Sequence, residues 1–181
     1  MTFRKALAVA LLFSGAAQAA EAPAKAPIDA CALMTDAEVA AVIGAKVLPG
    51  KRMDEGFVAG GQYSGTCVWR MVTAGAAPND PDKPMGGATF AILNAMQWPA
   101  GSGKSKEFLE SFFDAAKNGV IDQTPVQLKI ATAEDAIWWG DGVAVRKGDR
   151  SFGVSVFIPG KPRAERRVLE ESLARKIAPR L

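Results

Sequence analysis

Residues 143–158, VAVRKGDRSFGVSVFI, establish most of the architecture that the sequence predicts. The alternate apolar side chains of this segment are Val143, Val145, Phe152, Val154, Val156 and Ile158. Alternate side chains of a strand point to the same face, and Gly148-Asp149 suits a two-residue turn between antiparallel strands. Folding at that turn pairs Val145 with Phe152, which brings the two apolar faces together without a shift of register. The segment therefore predicts a β-hairpin with one buried face.

The sequence also predicts a short helix over 36–43. Thr35-Asp36-Ala37-Glu38 forms a capping box, in which the Thr35 hydroxyl accepts from the third helical N–H and Glu38 reaches back to the Thr35 N–H. Gly44 suits the left-handed conformation that commonly ends a helix.

The other elements follow from periodicity. Alternation predicts strands over 66–72, 88–95 and 126–131, and apolar stripes predict helices over 105–118 and 164–178. Glycine and proline content predicts a loop or an irregular hairpin over 56–65 and an exposed loop over 73–87.

The last helix has one apolar and one charged side. Leu169, Leu173 and Ile177 face inward at a spacing of four residues. The expected i,i+4 ion pairs on the outer surface are Arg166/Glu170, Arg167/Glu171 and Glu171/Arg175. The order of elements lacks repeated β-α-β crossovers, which is typical of an α+β fold. We expect an antiparallel sheet packed with about three helices in a two-layer sandwich, as a single domain over residues 28–181.

Residues 1–19 have the layout of a secretory signal peptide. Two basic residues precede an apolar run over 6–13, and Ala17-Gln18-Ala19 provides a small-x-small cleavage site. Residues 20–27, AEAPAKAP, have the composition of a flexible tether. An uncleaved leader that serves as an anchor is the alternative. We therefore expect a periplasmic or secreted protein.

Cys31 and Cys67 are the only two cysteines in the chain. In an exported protein an even pair predicts a disulfide bond. A zinc site is the weaker alternative, because two cysteines without histidine need carboxylates to complete a tetrahedral set. The pair also lacks the C-x-x-C spacing of redox-active cysteines.

The cysteines lie within motifs that resemble a known group. Asp29-Ala30-Cys31-Ala32-Leu33-Met34-Thr35-Asp36-Ala37-Glu38-Val39, ending at Ile43-Gly44, resembles the D-x-C-x-L-L-T-x-A-E-V-x-x-x-L-G opening of small exported bacterial proteins and lipoproteins of unknown function. Gly65-Thr66-Cys67-Val68-Trp69 resembles their later G-x-C-x-W. The resemblance implies a Cys31–Cys67 disulfide and an α/β sandwich of PsbP-like type. It implies no established activity, and the lipid-modified cysteine of the lipoproteins has no counterpart here.

Charge and composition exclude several partners. The chain has 22 Lys and Arg against 19 Asp and Glu, and without Arg4 and Lys5 of the leader the balance is 20 to 19. A near-neutral chain without a concentrated basic face gives no case for nucleic acid. No run after the leader approaches the roughly 18 apolar residues of a membrane span.

Residues 98–105, WPAGSGKS, approach the phosphate-binding loop G-x-x-x-x-G-K-[ST]. Trp98 stands where that loop requires its first glycine, so a plain glycine-rich loop before a helix is the favoured interpretation. A weak anion site at the helix N-terminus, with Lys104 and Lys106 nearby, is the alternative. Asn79-Asp80-Pro81-Asp82 lacks the ligand pattern of a calcium loop. We expect no cofactor and no metal.

Catalytic groups are scarce. The chain has no histidine, which removes Ser-His and Cys-His nucleophile systems. The acidic pairs Asp54/Glu55 and Glu134/Asp135 lie in a loop and at a turn, where solvated charge is the ordinary interpretation.

Tryptophans are the best candidates for a contact site. Trp138 and Trp139 are adjacent, so on a strand one indole enters the core and the other needs a second covering layer or lies on the surface. An exposed indole, joined by Trp98 from a loop, would form an aromatic contact site for a protein partner or a small apolar ligand.

We therefore expect an exported, non-enzymatic binding domain. One alternative is a small secreted hydrolase that uses carboxylates alone, which predicts two acidic side chains about 5–10 Å apart in a cleft. Another is a structural or chaperone-like envelope component, which predicts a broad, shallow apolar groove.

Overall fold

The computed structural model describes residues 27–53, 56–57, 61–72 and 89–181. The helices are α1 (Asp36–Ile43), α2 (Lys104–Lys117) and α3 (Arg163–Ile177), with 3₁₀ turns at Ala30–Ala32 and Ala178–Arg180. The strands are β1 (Lys51–Arg52), β2 (Gly56–Phe57), β3 (Tyr63–Arg70), β4 (Phe90–Gln97), β5 (Val126–Gln127), β6 (Asp135–Trp138), β7 (Val143–Lys147) and β8 (Arg150–Phe157). The predicted leader over 1–19, most of the tether over 20–27, and the predicted loop over 73–87 lie outside these residues.

The described strands form one antiparallel sheet in the order β1-β3-β4-β8-β7-β6-β5, and β2 pairs with β3. The first four strands of the chain occupy one half of the sheet and the last four occupy the other. A single ladder between β4 and β8 joins the halves. With its helices packed on the sheet, the domain has the α+β two-layer arrangement that the sequence predicts.

The β-hairpin predicted over residues 143–158 forms in the expected register. Val145 lies opposite Phe152, and the turn falls at Gly148, whose φ of +60° suits glycine. All four strand-forming apolar positions at the centre of this hairpin are buried.

The inner face of the sheet, defined as the face that packs against α1 and α3, holds the main core. Leu173 and Ile177 of α3 are fully buried against Val143 and Phe152 of the hairpin. Cys31 and Cys67 form a disulfide with a Cα–Cα distance of 5.1 Å. This bond fixes the 3₁₀ turn Ala30–Ala32 to β3 on the same face.

The predicted capping box is present at the start of α1. The Glu38 N–H donates to the Thr35 hydroxyl at 3.3 Å, and the Thr35 N–H donates to Glu38 Oε2 at 3.0 Å. Gly44 ends the helix in the left-handed conformation. Glu38 also binds Arg180, and this guanidinium is the main cause that lowers the pKa of Glu38 to about 2.

Two details differ from the sequence-based expectation. The strand expected over 126–131 is regular only at Val126–Gln127, because the chain turns at Ile130, whose carbonyl accepts from the Ala133 N–H. The Arg166/Glu170 surface pair does not form, since Glu170 is fully buried. The other two pairs of α3 form at Glu171, which binds both Arg167 and Arg175.

Candidate functional site

The outer face of the sheet is covered unevenly. Side chains alternate along β7, so Val143 and Val145 face the main core whereas Ala144 faces the other way. There Ala144 and Ile137 pack against Leu109 of α2. Helix α2 therefore covers the β6–β7 end of the outer face.

A row of four aromatic side chains runs beside α2. Trp98 lies 6.0 Å from Phe108, Phe108 lies 5.3 Å from Phe112, and Phe112 stacks on Trp139 at 4.8 Å between ring centroids. The Trp98 indole N–H donates to the Ser151 hydroxyl at 3.0 Å. Two of the three tryptophans that the sequence singled out, Trp98 and Trp139, thus share the outer face, and α2 is the covering layer that Trp139 requires.

Trp138 lies on the opposite side of the sheet and is only 5% exposed. Its indole N–H donates to Glu170 Oε2 at 2.9 Å, and the Arg167 guanidinium lies 4.9 Å from its ring centroid. The structure therefore does not bring Trp138 to the surface with the other two, because strand alternation sends adjacent side chains to opposite faces.

The buried carboxylate of Glu170 accepts two hydrogen bonds that explain its position. The ladder between β7 and β8 ends at Val154, and two residues later the Val156 N–H donates to Glu170 Oε1 at 3.2 Å. The Glu170 carboxylate thus accepts one hydrogen bond from the backbone and one from an indole. It meets β8 at a residue that lies beyond those paired with β7. Burial raises the pKa of Glu170, and the two hydrogen bonds oppose that shift without overcoming it.

The centre of the outer face is polar and satisfied. The Asn94 amide donates to the Ser64 hydroxyl at 3.1 Å and to the Thr66 hydroxyl at 2.9 Å. Both hydroxyl-bearing residues are buried. This cluster of β3 and β4 therefore stabilises the sheet from within.

The β1–β3–β4–β8 end of the outer face is apolar and exposed. We call it the apolar patch, which consists of Leu48, Met53, Val68, Val72, Phe90, Ile92 and Phe157. Its rim is exposed, with Leu48 and Met53 at 41%, Val72 at 46% and Phe157 at 38%.

Backbone pairing explains why these distant residues meet. Val47 bridges to Met71 and points to the core, so the next side chain, Leu48, points outward beside Arg70. The Met53 N–H donates to the Thr66 carbonyl, so Met53 lies opposite Thr66 and on the same outer face. The patch therefore extends from the β1 edge of the sheet across β3 and β4 to β8.

An aromatic stack lies within the patch. Phe90 and Phe157 lie opposite each other on β4 and β8, with ring centroids 4.6 Å apart and an interplanar angle of 26°. Phe90 is buried although Phe157 is partly exposed. The stack thus joins a buried ring to the exposed rim of the patch.

The charged residues beside the patch are positive within the part of the chain that the structure describes. Arg70 lies directly opposite Phe90, and Lys51 lies opposite Val68. Among the described residues paired in these rows of the outer face, none is acidic. Arg70 Nη1 is buried and has no hydrogen-bond partner within the part of the chain that the structure describes.

A cavity of about 490 Å³ lies at the start of α2. It is lined by the glycine-rich loop, by Lys106 and by Arg146 beside the hairpin turn. Gly101 and Gly103 in this loop both have positive φ, a conformation that glycine adopts without strain.

Two pairs of acidic side chains in the described ranges lie close together, and each pair binds one arginine. Glu134 and Asp135 both bind Arg146. Asp122 and Asp141 both bind Arg163, and the Arg163 hydrogen bond lowers the pKa of Asp122. The pair Asp54/Glu55 lies outside the described residues. Over the described ranges, no group of three or more Cys, Asp or Glu residues is arranged to hold a metal ion.

The apolar patch could not be predicted from the sequence in the way that the tryptophans were. Leu48 and Met53 belong to an irregular segment without apolar periodicity, and Val72 directly precedes the predicted loop over 73–87. The usable signal was the alternation that runs along β3 and just beyond its end, where Val68, Arg70 and Val72 share one side.

No helix in the described portion of the chain is both long enough and apolar enough to cross a membrane. Comparisons with protein-family models, curated proteins and solved structures gave no significant match. The resemblance of the opening motif to exported bacterial proteins thus stays a prediction.

Proposed function

We propose that this protein is an exported, non-enzymatic binding domain that docks a protein partner on the apolar patch. The observation that carries the proposal is the gathering of Leu48, Met53, Val72 and Phe157 on one side of the sheet. Contiguous exposed apolar surface on a small domain commonly marks an interaction site.

The disulfide supports a non-cytoplasmic location, since such bonds persist in oxidising compartments. The leader-like residues 1–19 support the finer proposal of a periplasmic or secreted protein. Detection of the N-terminus by mass spectrometry of the exported chain would test this part directly.

The hydrolase alternative has weaker support. It needs two acidic groups free to act in a cleft, whereas Glu134 and Asp135 share one arginine at a partly exposed turn. The tryptophan site also has weaker support than the patch, because Trp98 and Trp139 are only partly exposed and are engaged with α2 neighbours.

A chaperone-like role is the second candidate, since a broad and shallow apolar surface also suits unfolded clients. The two candidates differ in selectivity. A dedicated partner domain binds defined sequences, whereas a chaperone-like component suppresses aggregation of unrelated unfolded proteins.

We test the proposal by selecting phage-displayed random dodecapeptides on the chain from residue 20 to 181. We expect selected peptides rich in apolar residues, whose binding is lost in the double variant Met53→Ser/Phe157→Ser. Val168→Ser is the matched control, because Val168 is an exposed apolar residue on α3, away from the patch. Circular dichroism of both variants, compared with the wild type, separates a loss of binding from a loss of folding, since Phe157 also stacks on Phe90.

Equal peptide binding by the wild type and the patch variant would overturn the proposal, and so would a selection without any enriched peptide. Suppression of aggregation of reduced lysozyme and of heated citrate synthase, without peptide selectivity, would favour the chaperone-like role instead.

A further inference from the structure

We infer that Arg70 is the anion-binding centre of the apolar patch, and that the partner segment presents a carboxylate side chain flanked by apolar residues. This inference rests on the proposed function and names the chemistry of its partner.

The position of Arg70 makes it part of the binding surface. It lies opposite Phe90, which lies opposite Phe157, so Arg70 and the two stacked rings occupy one row of paired positions across three strands. Leu48 continues that row at the sheet edge, where its N–H donates to the Arg70 carbonyl. A ligand seated on the aromatic stack therefore lies next to the strand position that carries Arg70.

The hydrogen-bonding state of Arg70 points to an anion. Arg146 and Arg180 each bind carboxylates of this chain, as does Arg163. Arg70 Nη1, in contrast, is buried and unpaired within the described residues. No carboxylate within the described residues neutralises this guanidinium, and an incoming carboxylate would do so through charge-assisted hydrogen bonds. Nη1 itself is closed to solvent, so the incoming group would bind the other guanidinium nitrogens of Arg70, a residue that is only partly buried.

The charge distribution argues against a second copy of the same patch as the partner. A two-fold interface on this patch would bury Arg70 and Lys51 of both copies in one contact, and the described rows paired across the outer face supply no acidic side chain to neutralise them. The two cations favour an acidic partner instead.

The number of basic residues argues against a lipid surface. Membrane-binding surfaces use clusters of about 4–8 basic residues. The described part of this surface has three, namely Arg70, Lys51 and Lys46, whose carbonyl accepts from the Val72 N–H.

The test uses the peptides selected on the patch, each synthesised with its Asp or Glu residues and again with Asn or Gln in their place. Fluorescence polarisation measures the affinity of each pair for the wild type, Arg70→Met, Arg70→Lys and the control Lys176→Met, which removes an exposed cation from α3. Arg70→Met keeps the apolar stem and should weaken acidic peptides by about tenfold or more. The same substitution should leave the amide peptides within about twofold, Arg70→Lys should show an intermediate loss, and Lys176→Met should show none.

The outcomes separate the two proposals. If acidic and amide peptides bind equally well and Arg70→Met has no effect, while Met53→Ser/Phe157→Ser still abolishes binding, the role of Arg70 is wrong and the docking patch stands. If the double variant has no effect, the docking patch is wrong as well. Binding to phosphatidylglycerol vesicles that depends on Arg70, without preference for acidic peptides, would also overturn the polypeptide assignment.

Discussion

Glu170 illustrates how far single residues can be predicted here. Its spacing from Arg166 indicates a surface ion pair, yet its carboxylate accepts from Trp138 and from the backbone of Val156. Sequence spacing describes neighbours on one helix, whereas the donors that fix Glu170 come from two strands. Arg166 instead donates to Asp141, another residue distant in the chain.

The raised pKa of Glu170 gives a pH dependence with a defined sign. The folded chain holds the proton above the ordinary pKa of 4.5, where the unfolded chain releases it. Unfolding free energy should therefore fall as the pH rises from 4.5 through the raised pKa. Urea unfolding across this range, followed by tryptophan fluorescence, should show that slope in the wild type and a smaller slope in Glu170→Gln.

Glu171→Gln serves as the control, since Glu171 makes only surface ion pairs. The titration of Glu38 does not contribute to this slope. With a folded-state pKa of about 2, Glu38 changes the unfolding free energy only as the pH falls below 4.5. Equal slopes in the wild type and in Glu170→Gln would contradict the assignment.

The elements themselves were largely predictable where a local signal exists. The capping box at Thr35, the apolar stripe of α2 and the turn at Gly148 all act within one element or one hairpin. The short strands β1, β2 and β5 carry too few residues to show alternation. Their conformation comes from pairing with long neighbours, which no local pattern reports.

Gly142 lies just before β7, where its backbone packs closely against Trp139 and Ser155. A methyl group there would overlap the Ser155 hydroxyl and the Trp139 ring. We expect Gly142→Ala to lower the unfolding free energy by about 1–3 kcal/mol, as overpacking does. Gly153→Ala is the matched control, because its methyl group would meet the same ring at an ordinary 3.7 Å. Similar denaturation midpoints for the two variants would show that Trp139 moves aside freely.

The fold class of the whole molecule was predictable from the sequence, but the order of the strands in its sheet was not. The alternation of helices and hairpins indicates an antiparallel α+β domain, which the structure shows. The order of strands depends on the pairing of β4 with β8, whose partners lie more than fifty residues apart. The apolar patch was unpredictable for the same reason, because Phe157 joins Leu48 on one continuous sheet face only through that pairing.

The disulfide is the covalent link at this scale. Cys31 and Cys67 are separated by 36 residues, and closure of such a loop stabilises a fold by about 4 kcal/mol in the chain-entropy model. The double variant Cys31→Ser/Cys67→Ser should lose most of this amount in urea unfolding, and the reduced wild type should match it. Indistinguishable stability of oxidised and reduced wild type would show that the link constrains little.

The β4–β8 ladder has a consequence for how the chain could be divided. Apart from the β4–β8 ladder, the described strands within residues 51–97 pair only with one another, and so do those within 126–157. A backbone cut between them would leave two fragments, each with one long open edge complementary to the other. Such fragments are suited to reassembly in trans, and two intact chains at high concentration could exchange their halves along the same seam.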